Sequence, residues 1–260
     1  MEDIVDLKGR NALVTGAGQG VGKAIALRLA RHNAGTVIVN DYYEYRAKLV
    51  VEKIKSLGFK AVAAQGDVSK LDDFKRIAAE ASRSVGAIEV LVNNAGNMGP
   101  AGVVVGKPFW EQEPEEWDLS IRVNFYGVLN AVRAILPGMI AARSGSIVTI
   151  VSDAGRVGEP RLEAYSGAKA GAAGFMRAIA KSAGRFNVRA NCIALSATKT
   201  PTIRVDETSE IGKKMLQPYI IRRFGEPDDA ARMVVFLASD ASSWVTGQTY
   251  PVNGGYALAV

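Results

Sequence analysis

The chain has few of the histidine and cysteine residues on which the sites of most hydrolases and metalloenzymes depend. Its 260 residues include one histidine, His32, and one cysteine, Cys192. A Ser-His-Asp triad is therefore implausible, and so is a zinc site built from clustered His and Cys ligands. One cysteine forms no internal disulfide, which favours a reducing compartment. We expect no metal site.

Long hydrophobic runs are also lacking. No apolar stretch approaches the roughly 20 residues that a membrane span requires. The first residues, from Met1 to Asp6, are acidic, where a secretory signal would be basic. These features predict a cytoplasmic protein with no membrane partner.

Positive charge is in excess but is not concentrated. The formal net charge is +6, and the densest basic groups are the pairs Lys213-Lys214 and Arg222-Arg223. Such pairs form too small a basic surface to bind the phosphate backbone of a nucleic acid, so we expect no nucleic-acid partner. A phosphorylated small molecule, such as a dinucleotide or a CoA thioester, explains the charge more simply.

Short apolar runs rich in β-forming residues alternate with helical stretches along the whole chain. Strands are predicted at residues 11–15, 36–40, 60–65, 88–93, 146–151, 189–193 and 248–252, and helices at about 20–33, 43–57, 70–85, 115–142, 164–185 and 228–238. This alternation indicates βαβ units and a parallel sheet with right-handed crossovers. Since no linker or repeat divides the chain, we expect residues 1–260 to form one doubly wound α/β domain.

Two connections are longer than this fold needs. They are an enlarged loop at 97–113 and a substrate loop or lid at about 194–227, whose interior at 207–218 has a helical pattern. Both follow strands at their C-terminal ends, where open α/β sheets bind ligands. Phe109 and Trp110 in the first loop could wall an apolar pocket, or could lie in the core or a subunit contact.

A glycine-rich turn follows the first predicted strand and opens the first helix. From its first glycine it reads Gly16, Ala17, Gly18, Gln19, Gly20, Val21 and Gly22. Glycines let the backbone approach a pyrophosphate, and a helix N-terminus offers free N–H groups and a favourable dipole. A glycine motif alone is weak evidence, but the strand before it and the helix after it are the context that a dinucleotide site requires.

The second predicted strand leads into Asp41, about twenty residues after the turn, where a carboxylate accepts hydrogen bonds from the adenosine ribose. The same carboxylate would repel the 2′-phosphate of NADP. Gln19 supplies no cation to receive that phosphate, and Arg46, in the following helix, is the one basic candidate nearby. These residues favour NAD as the cofactor.

Tyr165 and Lys169 are one helical turn apart, and Ser152 precedes them in the sequence. A tyrosine hydroxyl ordinarily titrates near pH 10. A lysine ammonium on the same helix face would stabilise the phenolate and lower its pKa. The trio can do acid–base chemistry, although Tyr-x-x-x-Lys by itself is also typical of a solvated helix face.

Taken together, the motifs resemble those of the short-chain dehydrogenase/reductase family over about residues 7–256. They are the glycine turn at 15–22, Asp67-Val68, Asn93-Asn94-Ala95-Gly96, Asn124 before Phe125-Tyr126-Gly127, the trio Ser152, Tyr165 and Lys169, then Arg223-x-Gly225-x-Pro227, and Gly247-Gln248 with Asn253-Gly254-Gly255. The resemblance implies a Rossmann fold with seven strands in the order 3-2-1-4-5-6-7 and a nicotinamide cofactor.

The resemblance also implies a role for each matching residue. Tyr165 would be the general base for a substrate hydroxyl, Lys169 would lower its pKa and hold the nicotinamide ribose, and Ser152 would orient the reacting oxygen. Asn124 would anchor a proton-relaying water. The implied cofactor-binding residues are Gly16, Gly18, Gln19, Gly20, Val21, Gly22, Asp41, Asp67, Val68, Asn94, Ala95, Gly96, Tyr165, Lys169, Thr198 and Thr200.

One stretch departs from the family's pattern. After the sixth strand, family members usually carry Pro-Gly, with Thr four residues after the Gly. This chain has Leu195-Ser196 there, while Thr200 keeps its place. Losing proline removes a fixed φ, and losing glycine adds side-chain bulk near the cofactor. We therefore expect the nicotinamide subsite to differ from the family's usual one.

The expected activity is NAD-dependent oxidation of a secondary alcohol to a ketone. The stretch 152–158 resembles that of members acting on cyclic or aryl hydroxyacyl-CoA thioesters, and a steroid, a polyol or another alicyclic alcohol stays open. Four basic residues could meet an anionic tail of the substrate: Arg156, Arg161, Lys213 and Lys214.

Two alternatives stay open. One is an NADPH-dependent 3-ketoacyl reductase, which Gln19 and Asp41 oppose, as does Pro137 where such reductases often carry a carrier-docking arginine. The other is a catalytically degenerate subunit of a hetero-oligomeric dehydrogenase, which the Leu195-Ser196 turn suggests. The resemblance further implies a homodimer or homotetramer formed through the helices at 115–142 and 164–185.

Overall fold

The computed structural model describes residues 3–96, 107–201 and 205–258. Its strands are β1 (Ala12–Val14), β2 (Val37–Asp41), β3 (Ala61–Gln65), β4 (Val90–Asn93), β5 (Gly145–Ser152), β6 (Val188–Leu195) and β7 (Thr249–Val252). They form one sheet in the order β3-β2-β1-β4-β5-β6-β7, and every neighbouring pair is parallel. The predicted doubly wound sheet and its strand order are confirmed; that the whole of 1–260 is one domain stays a prediction.

The α-helices lie on both faces of the sheet. They are α1 (Gly20–Arg31), α2 (Glu44–Ser56), α3 (Leu71–Val85), α4 (Pro114–Ile121), α5 (Gly127–Ala142), α6 (Ala154–Val157), α7 (Glu163–Ala183), α8 (Glu210–Leu216) and α9 (Pro227–Ala238). Buried side chains of α1, α2 and α9 form one core cluster, and those of α3, α5 and α7 form the other. On β1, Ala12 and Val14 belong to the first cluster and Leu13 to the second, because successive strand side chains point to opposite faces.

The helix predicted at 115–142 is interrupted. A π turn at Arg122–Tyr126 separates α4 from α5. Such a turn inserts one extra residue into a helical turn, which hydrophobic periodicity does not reveal. The helical pattern at 207–218 also proves shorter, since α8 begins after Ser209, whose hydroxyl caps it by accepting from Gly212 N. The short α6 was not predicted.

Within the described residues, one continuous helical run, at 114–142, is long and apolar enough to cross a membrane by length and composition alone. Buried helices of proteins that never enter a membrane meet the same criterion. Val128, Val132 and Met139 of this run pack into the second core cluster. We read it as a core helix of the fold.

Candidate active site

The glycine turn between β1 and α1 has the shape of an anion cradle. Gly16 and Gly20 have φ angles of 59° and 53°, which glycine adopts at no steric cost. At Gly22, a Cβ would lie 2.3 Å from the carbonyl oxygen of Gly16, so only glycine lets α1 start this close to the turn. Gln19 makes no side-chain cap, which leaves the first N–H groups of α1 available for a pyrophosphate. The geometry of the predicted phosphate site therefore fits a pyrophosphate.

Asp41, the last residue of β2, is buried and holds the glycine turn. Its Oδ2 accepts a 2.9 Å hydrogen bond from Gly18 N, and its Oδ1 accepts a 3.0 Å bond from Tyr43 N. A carboxylate has about four acceptor positions, so two stay available to ribose hydroxyls. The same group can therefore fix the loop and receive the adenosine.

Arg46 lies next to this carboxylate. Its Cβ would be 2.5 Å from a Cβ built on Gly18. Its guanidinium lies 4.5 Å from the ring centre of Tyr43, and its Nε donates a 3.1 Å hydrogen bond to Tyr45 Oη. Stacking of this kind holds a guanidinium in place, so a positioned cation stands near the adenosine end of the site.

The segment after β4 is tied to the glycine turn. Thr15 Oγ1 accepts hydrogen bonds from Asn94 N and Ala95 N, at 3.0 and 2.9 Å. Asn94 Nδ2 donates to the carbonyl oxygens of Thr15 and Gly16, at 2.9 and 3.1 Å. The predicted cofactor residues Asn94 and Ala95 thus build the frame of the crevice between β1 and β4, where ligands bind in such sheets.

The loop after β3 is fixed at the same edge of the sheet. Asp67 Oδ1 accepts from the backbone N and the hydroxyl of Ser69, at 2.9 and 2.8 Å. The carbonyl oxygen of Val68 accepts a 2.9 Å hydrogen bond from Asn130 Nδ2 of α5. These contacts fix the loop that carries Asp67 and Val68; that the two residues bind the adenine stays a prediction.

Lys169 and Asn124 come together at Gly96. A Cβ built on Gly96 would lie 3.1 Å from Lys169 Nζ and 3.2 Å from Asn124 Oδ1. Asn124 is fully buried in the π turn, and its Nδ2 donates a 2.9 Å hydrogen bond to the carbonyl oxygen of Ser120. Such π turns are frequent at functional sites. Here the π turn carries the buried polar side chain of Asn124.

The phenol of Tyr165 is hydrogen-bonded to Ser152, the last residue of β5. Ser152 Oγ also accepts from Ala154 N at 3.2 Å, which fixes the hydroxyl. Lys169 Nζ lies 5.7 Å from the ring centre of Tyr165. The three predicted residues are therefore gathered into one site.

Burial controls the protonation of this site. It raises the pKa of Tyr165 above its ordinary 10, and the hydrogen bond with Ser152 offsets this only in part. Burial lowers the pKa of Lys169 to about 8. In the protein by itself the tyrosine pKa is thus raised rather than lowered, because desolvation penalises the phenolate more than the hydrogen bond stabilises it; that Lys169 lowers it stays a prediction.

The Leu195-Ser196 turn is anchored on two sides. The carbonyl oxygen of Leu195 accepts a 2.9 Å hydrogen bond from the backbone N of Asp153, the residue after Ser152. Ser196 Oγ donates a 3.2 Å bond to the carbonyl oxygen of Asn253, after β7. Serine in the family's glycine position thus adds a tether that glycine could not make.

The two predicted threonines differ in their surroundings. Thr198 is buried, and its Oγ1 donates a 3.1 Å hydrogen bond to the carbonyl oxygen of Ser196. Thr200 lies over the glycine turn, with its Cγ2 3.5 Å from a Cβ built on Gly20. Thr200 is therefore brought to the cofactor crevice, and Thr198 supports the turn before it.

Several residues expected near the substrate are engaged elsewhere. Arg156 pairs with Asp153 at 2.7 Å and donates to the carbonyl oxygens of Ala257 and Leu258. Lys213 pairs with Glu210 at 2.8 Å. In the enlarged loop, residues 97–106 lie outside the described residues, as do 202–204 in the lid.

The two aromatic residues of the enlarged loop differ in their surroundings, and that they wall a pocket stays a prediction. Phe109 stacks on Trp117, with ring centres 5.1 Å apart, and Trp110 is 83% exposed. Phe109 holds the short helical turn Phe109–Glu111 against α4.

A buried pair near the site was missed from the sequence. Asp153 Oδ2 accepts a 2.6 Å hydrogen bond from Asn253 Nδ2. This bond joins the residue after Ser152 to the Asn253-Gly254-Gly255 signature, which was the available sequence signal. In the described part of the chain, no group of three or more His, Cys, Asp or Glu is placed to hold a metal ion.

Comparison with known proteins agrees with this geometry. A family model described as Enoyl-(Acyl carrier protein) reductase matches residues 16–257. The chain is 34% identical over 249 residues to a 3-oxoacyl-(acyl-carrier-protein) reductase of Staphylococcus epidermidis, covering 95% of this chain and 98% of that one. It is 36% identical over 253 residues to a 7alpha-hydroxysteroid dehydrogenase of Escherichia coli K12, covering 97% and 96%.

Solved structures give the same result. A gluconate 5-dehydrogenase from Burkholderia cenocepacia J2315, in complex with NADP and tartrate, superposes with a TM-score of 0.91 at 32% identity over 99% of each chain. A 7alpha-hydroxysteroid dehydrogenase complexed with NADH and 7-oxo glycochenodeoxycholic acid superposes with a TM-score of 0.90 at 35% identity over 98% of each chain. The chain therefore belongs to the short-chain dehydrogenase/reductase family and is an oxidoreductase for secondary alcohols or ketones that uses a nicotinamide cofactor.

Proposed function

We propose that the protein oxidises a secondary alcohol to a ketone with NAD, and that its substrate is a hydroxyacyl-CoA or a cyclic or aryl hydroxy compound. The observation that carries this proposal is the gathering of Ser152, Tyr165 and Lys169 beside Gly96 and the glycine turn. Acid–base residues and a dinucleotide cradle then face the same crevice.

Each residue has a distinct part in the proposed reaction. Tyr165 Oη, as the phenolate, takes the proton of the substrate hydroxyl; because burial keeps the phenol protonated in the protein by itself, its own proton first leaves through the water described below. Ser152 orients the reacting oxygen through the hydroxyl that already bonds the phenol. Lys169 supplies positive charge near the phenolate, and Asn124 beside it anchors a water through which protons leave. When bound, NAD accepts the hydride at C4 of its nicotinamide.

Asp41 supports NAD over NADP. Its carboxylate is fixed by two backbone N–H groups, so it cannot easily turn away from a 2′-phosphate, and like charges repel. The two solved relatives named above carry NADP in one case and NADH in the other, so they favour neither cofactor.

An NADPH-dependent 3-ketoacyl reductase is the second candidate. The similarity to the staphylococcal reductase favours it. So does Arg46, whose Cβ lies beside Gly18 and Asp41 and whose guanidinium is held by two tyrosines. A positioned arginine could receive a 2′-phosphate in spite of the carboxylate.

A non-catalytic subunit is the third reading, suggested by Leu195-Ser196. The tether from Ser196 to Asn253 and the complete set of catalytic positions oppose it. We further propose a cytoplasmic homodimer or homotetramer, packed through α5 and α7.

The test is a turnover assay with purified protein, both cofactors and a panel of a 3-hydroxyacyl-CoA, a cyclic hydroxyacyl-CoA, an aryl alcohol, a hydroxysteroid and a polyol. We expect reduction of NAD with at least one hydroxyacyl or cyclic alcohol, at a kcat/KM about tenfold or more above that with NADP. Preference for NADP would overturn the assignment of NAD. Binding of NAD without turnover of any alcohol would favour the non-catalytic reading.

A further inference from the structure

A layer of polar side chains lies directly beyond the ends of three neighbouring strands. The residues one position past the paired ends of β5, β6 and β7 are Asp153, Ser196 and Asn253. Asp153 Oδ2 accepts a 2.6 Å hydrogen bond from Asn253 Nδ2, and the carbonyl oxygen of Asn253 accepts a 3.2 Å bond from Ser196 Oγ. Since Asp153 directly follows Ser152, this layer begins beside the serine of the site.

We propose that Asp153 is a positioning residue for the oxidation. Its carboxylate fixes the place of Ser152 relative to Tyr165 and Lys169. Both carboxylate oxygens are bonded to other side chains, so Asp153 acts through Ser152 and does not touch the substrate. This inference rests on the proposed function, because it takes Ser152 as the residue that orients the reacting oxygen.

The carboxylate of Asp153 is buried and is held on both of its oxygens. The residue is 1% exposed. Its Oδ1 accepts a 2.7 Å hydrogen bond from the guanidinium of Arg156, and its Oδ2 accepts the bond from Asn253. A buried charged pair is often no more stable than apolar residues of the same volume, so stability alone does not account for a carboxylate at this place. Bonds on both oxygens restrain the backbone that carries it.

Asn253 presents its amide N–H group to Asp153 and is held in that orientation. Its Oδ1 accepts a 3.0 Å hydrogen bond from Gly255 N, and its Nδ2 also donates a 2.8 Å bond to the carbonyl oxygen of Ala257. Turning the amide over would set donor against donor at Gly255 and acceptor against acceptor at Ala257. The layer therefore requires a hydrogen-bond acceptor at position 153.

The backbone of Asp153 carries this restraint to the serine. Its N–H donates a 2.9 Å hydrogen bond to the carbonyl oxygen of Leu195, and its own carbonyl oxygen accepts the first two backbone bonds of α6, at 2.8 and 2.9 Å. Across the same turn, Ser152 Oγ accepts a 3.2 Å bond from Ala154 N. The orientation of the Ser152 hydroxyl thus depends on the turn that Asp153 holds.

The far end of this turn lies directly against α7, the helix of the acid–base pair. A Cβ built on Gly155 would be 2.8 Å from Ala170 N and 3.0 Å from Lys169 Cβ, so only glycine allows α6 to approach α7 this closely. The turn is therefore held by Asp153 at its start and by this contact at its end. Losing the first restraint lets Ser152 move relative to α7.

Reciprocal exchange of the buried pair in the intact protein tests this inference. Asp153→Asn sets an amide N–H group against a donor of Asn253 or Arg156. It should lower kcat on the alcohol that the native enzyme oxidises by about 10- to 100-fold, since a misplacement of about 1 Å can cost about 100-fold. The double variant with Asn253→Asp again sets a donor against an acceptor and should recover most of the loss. Asn253→Asp alone brings two carboxylates together and should not match the native kcat.

Two measurements separate positioning from a merely structural role. The value of kcat is counted per NAD-binding site, from the stoichiometry of a calorimetric titration with NAD, and the dissociation constant for NAD should change by less than about threefold. Without any turnover, the NMR ring signal of Tyr165 in tyrosine-labelled protein, identified by its loss in Tyr165→Phe, should shift in Asp153→Asn and return in the double variant.

Asp228→Asn is the matched control. Asp228 Oδ1, in α9, accepts a 2.9 Å hydrogen bond from Arg28 Nε, in α1, so this variant also removes a carboxylate from an arginine. Its kcat should stay within about twofold of the native value. Should Asp153→Asn fail to fold, Arg156→Gln weakens the same carboxylate's contacts from a half-buried side chain, and it should lower kcat by about threefold or more.

A kcat of Asp153→Asn within about twofold of the native value overturns the inference. So does a double variant that is no more active than Asp153→Asn, since the pairing would then not be the cause of the loss. A Tyr165 signal that shifts and returns, without oxidation of any alcohol, would sink the proposed function and leave the positioning role standing. Oxidation by the native enzyme with an unmoved signal and an unchanged kcat in Asp153→Asn would do the reverse.

Discussion

The ammonium of Lys169 donates a 2.9 Å hydrogen bond to the carbonyl oxygen of Ile150, in β5, and stands 5.7 Å from the ring centre of Tyr165. It is a buried cation whose partner is a neutral carbonyl. Its pKa of about 8 follows from that burial. The site therefore holds this cation at a cost to stability.

The first prediction concerns this cost. Because the folded pKa of Lys169 is about 8 and the ordinary value is 10.5, the unfolded chain binds more protons between these values, and the group's contribution to stability rises with pH across that window. Near neutral pH, Lys169→Met should stabilise the protein by about 1 kcal/mol. The variant no longer pays for the desolvation of a buried ammonium, but it also loses the hydrogen bond to Ile150, and the first effect is the larger.

Urea unfolding of both proteins as the pH rises from 7 toward 10.5 checks this prediction. The advantage of the variant should shrink as the pH passes 8, while its activity is lost throughout. Lys181→Met, on the exposed side of the same helix, is the control and should show no such pH dependence. A variant that is less stable at neutral pH would contradict the picture of a costly buried cation.

The second prediction concerns cofactor choice at Asp41. Asp41→Asn removes the charge that opposes a 2′-phosphate, so the ratio of kcat/KM for NAD to that for NADP should fall by about tenfold or more. Adding Arg46→Gln should cancel most of the gain with NADP, because Arg46 would then be the receiving cation. Steady-state kinetics with both cofactors decide this, and an unchanged ratio in Asp41→Asn would speak against Asp41 as the discriminating group.

The third prediction concerns the unusual turn. Ser196→Ala removes the tether to Asn253 without adding backbone freedom and should lower the free energy of unfolding by about 1 kcal/mol. Ser196→Gly should cost somewhat more, since glycine also increases the entropy of the unfolded chain. Chemical denaturation measures both, and the KM for NAD should change by less than about threefold, as the tether supports the turn from outside the cofactor crevice. A large loss of NAD affinity in Ser196→Ala would show that the serine acts on the cofactor itself.

The fourth prediction concerns Cys192. Burial raises the pKa of its thiol to about 12, so almost no thiolate is present near neutral pH, and the thiolate is the reactive form. A thiol reagent should label the protein only on unfolding, at a rate that follows the denaturation curve. Rapid labelling of the native protein would contradict the burial of this residue.

The sequence predicted the parts of the site that repeat local patterns. The glycine turn, Asp41 and the Tyr165-Lys169 spacing each have a fixed relation to the strand or helix that carries them, so their placement followed from βαβ topology. The structure confirms the sheet order and brings these residues together at one edge.

The parts that could not be predicted depend on tertiary surroundings. The π turn around Asn124 leaves no mark in the hydrophobic period, and the raised pKa of Tyr165 reflects burial that spacing does not report. The tether from Ser196 to Asn253 joins residues 57 positions apart. From the sequence alone, Leu195-Ser196 in place of Pro-Gly therefore indicated only the loss of a fixed φ and of a small side chain. Likewise, nothing in the sequence distinguishes Arg156, which pairs with Asp153, from Arg161, which is exposed.

The most direct measurement of the central claim is the turnover of Tyr165→Phe on whichever alcohol the native enzyme oxidises, together with its dissociation constant for NAD. The variant loses only the hydroxyl that takes the proton, so kcat/KM should fall by about 100-fold or more, while the affinity for NAD changes by less than about threefold. Activity within a few-fold of the native value would contradict Tyr165 as the base and, with it, the mechanism proposed for this site.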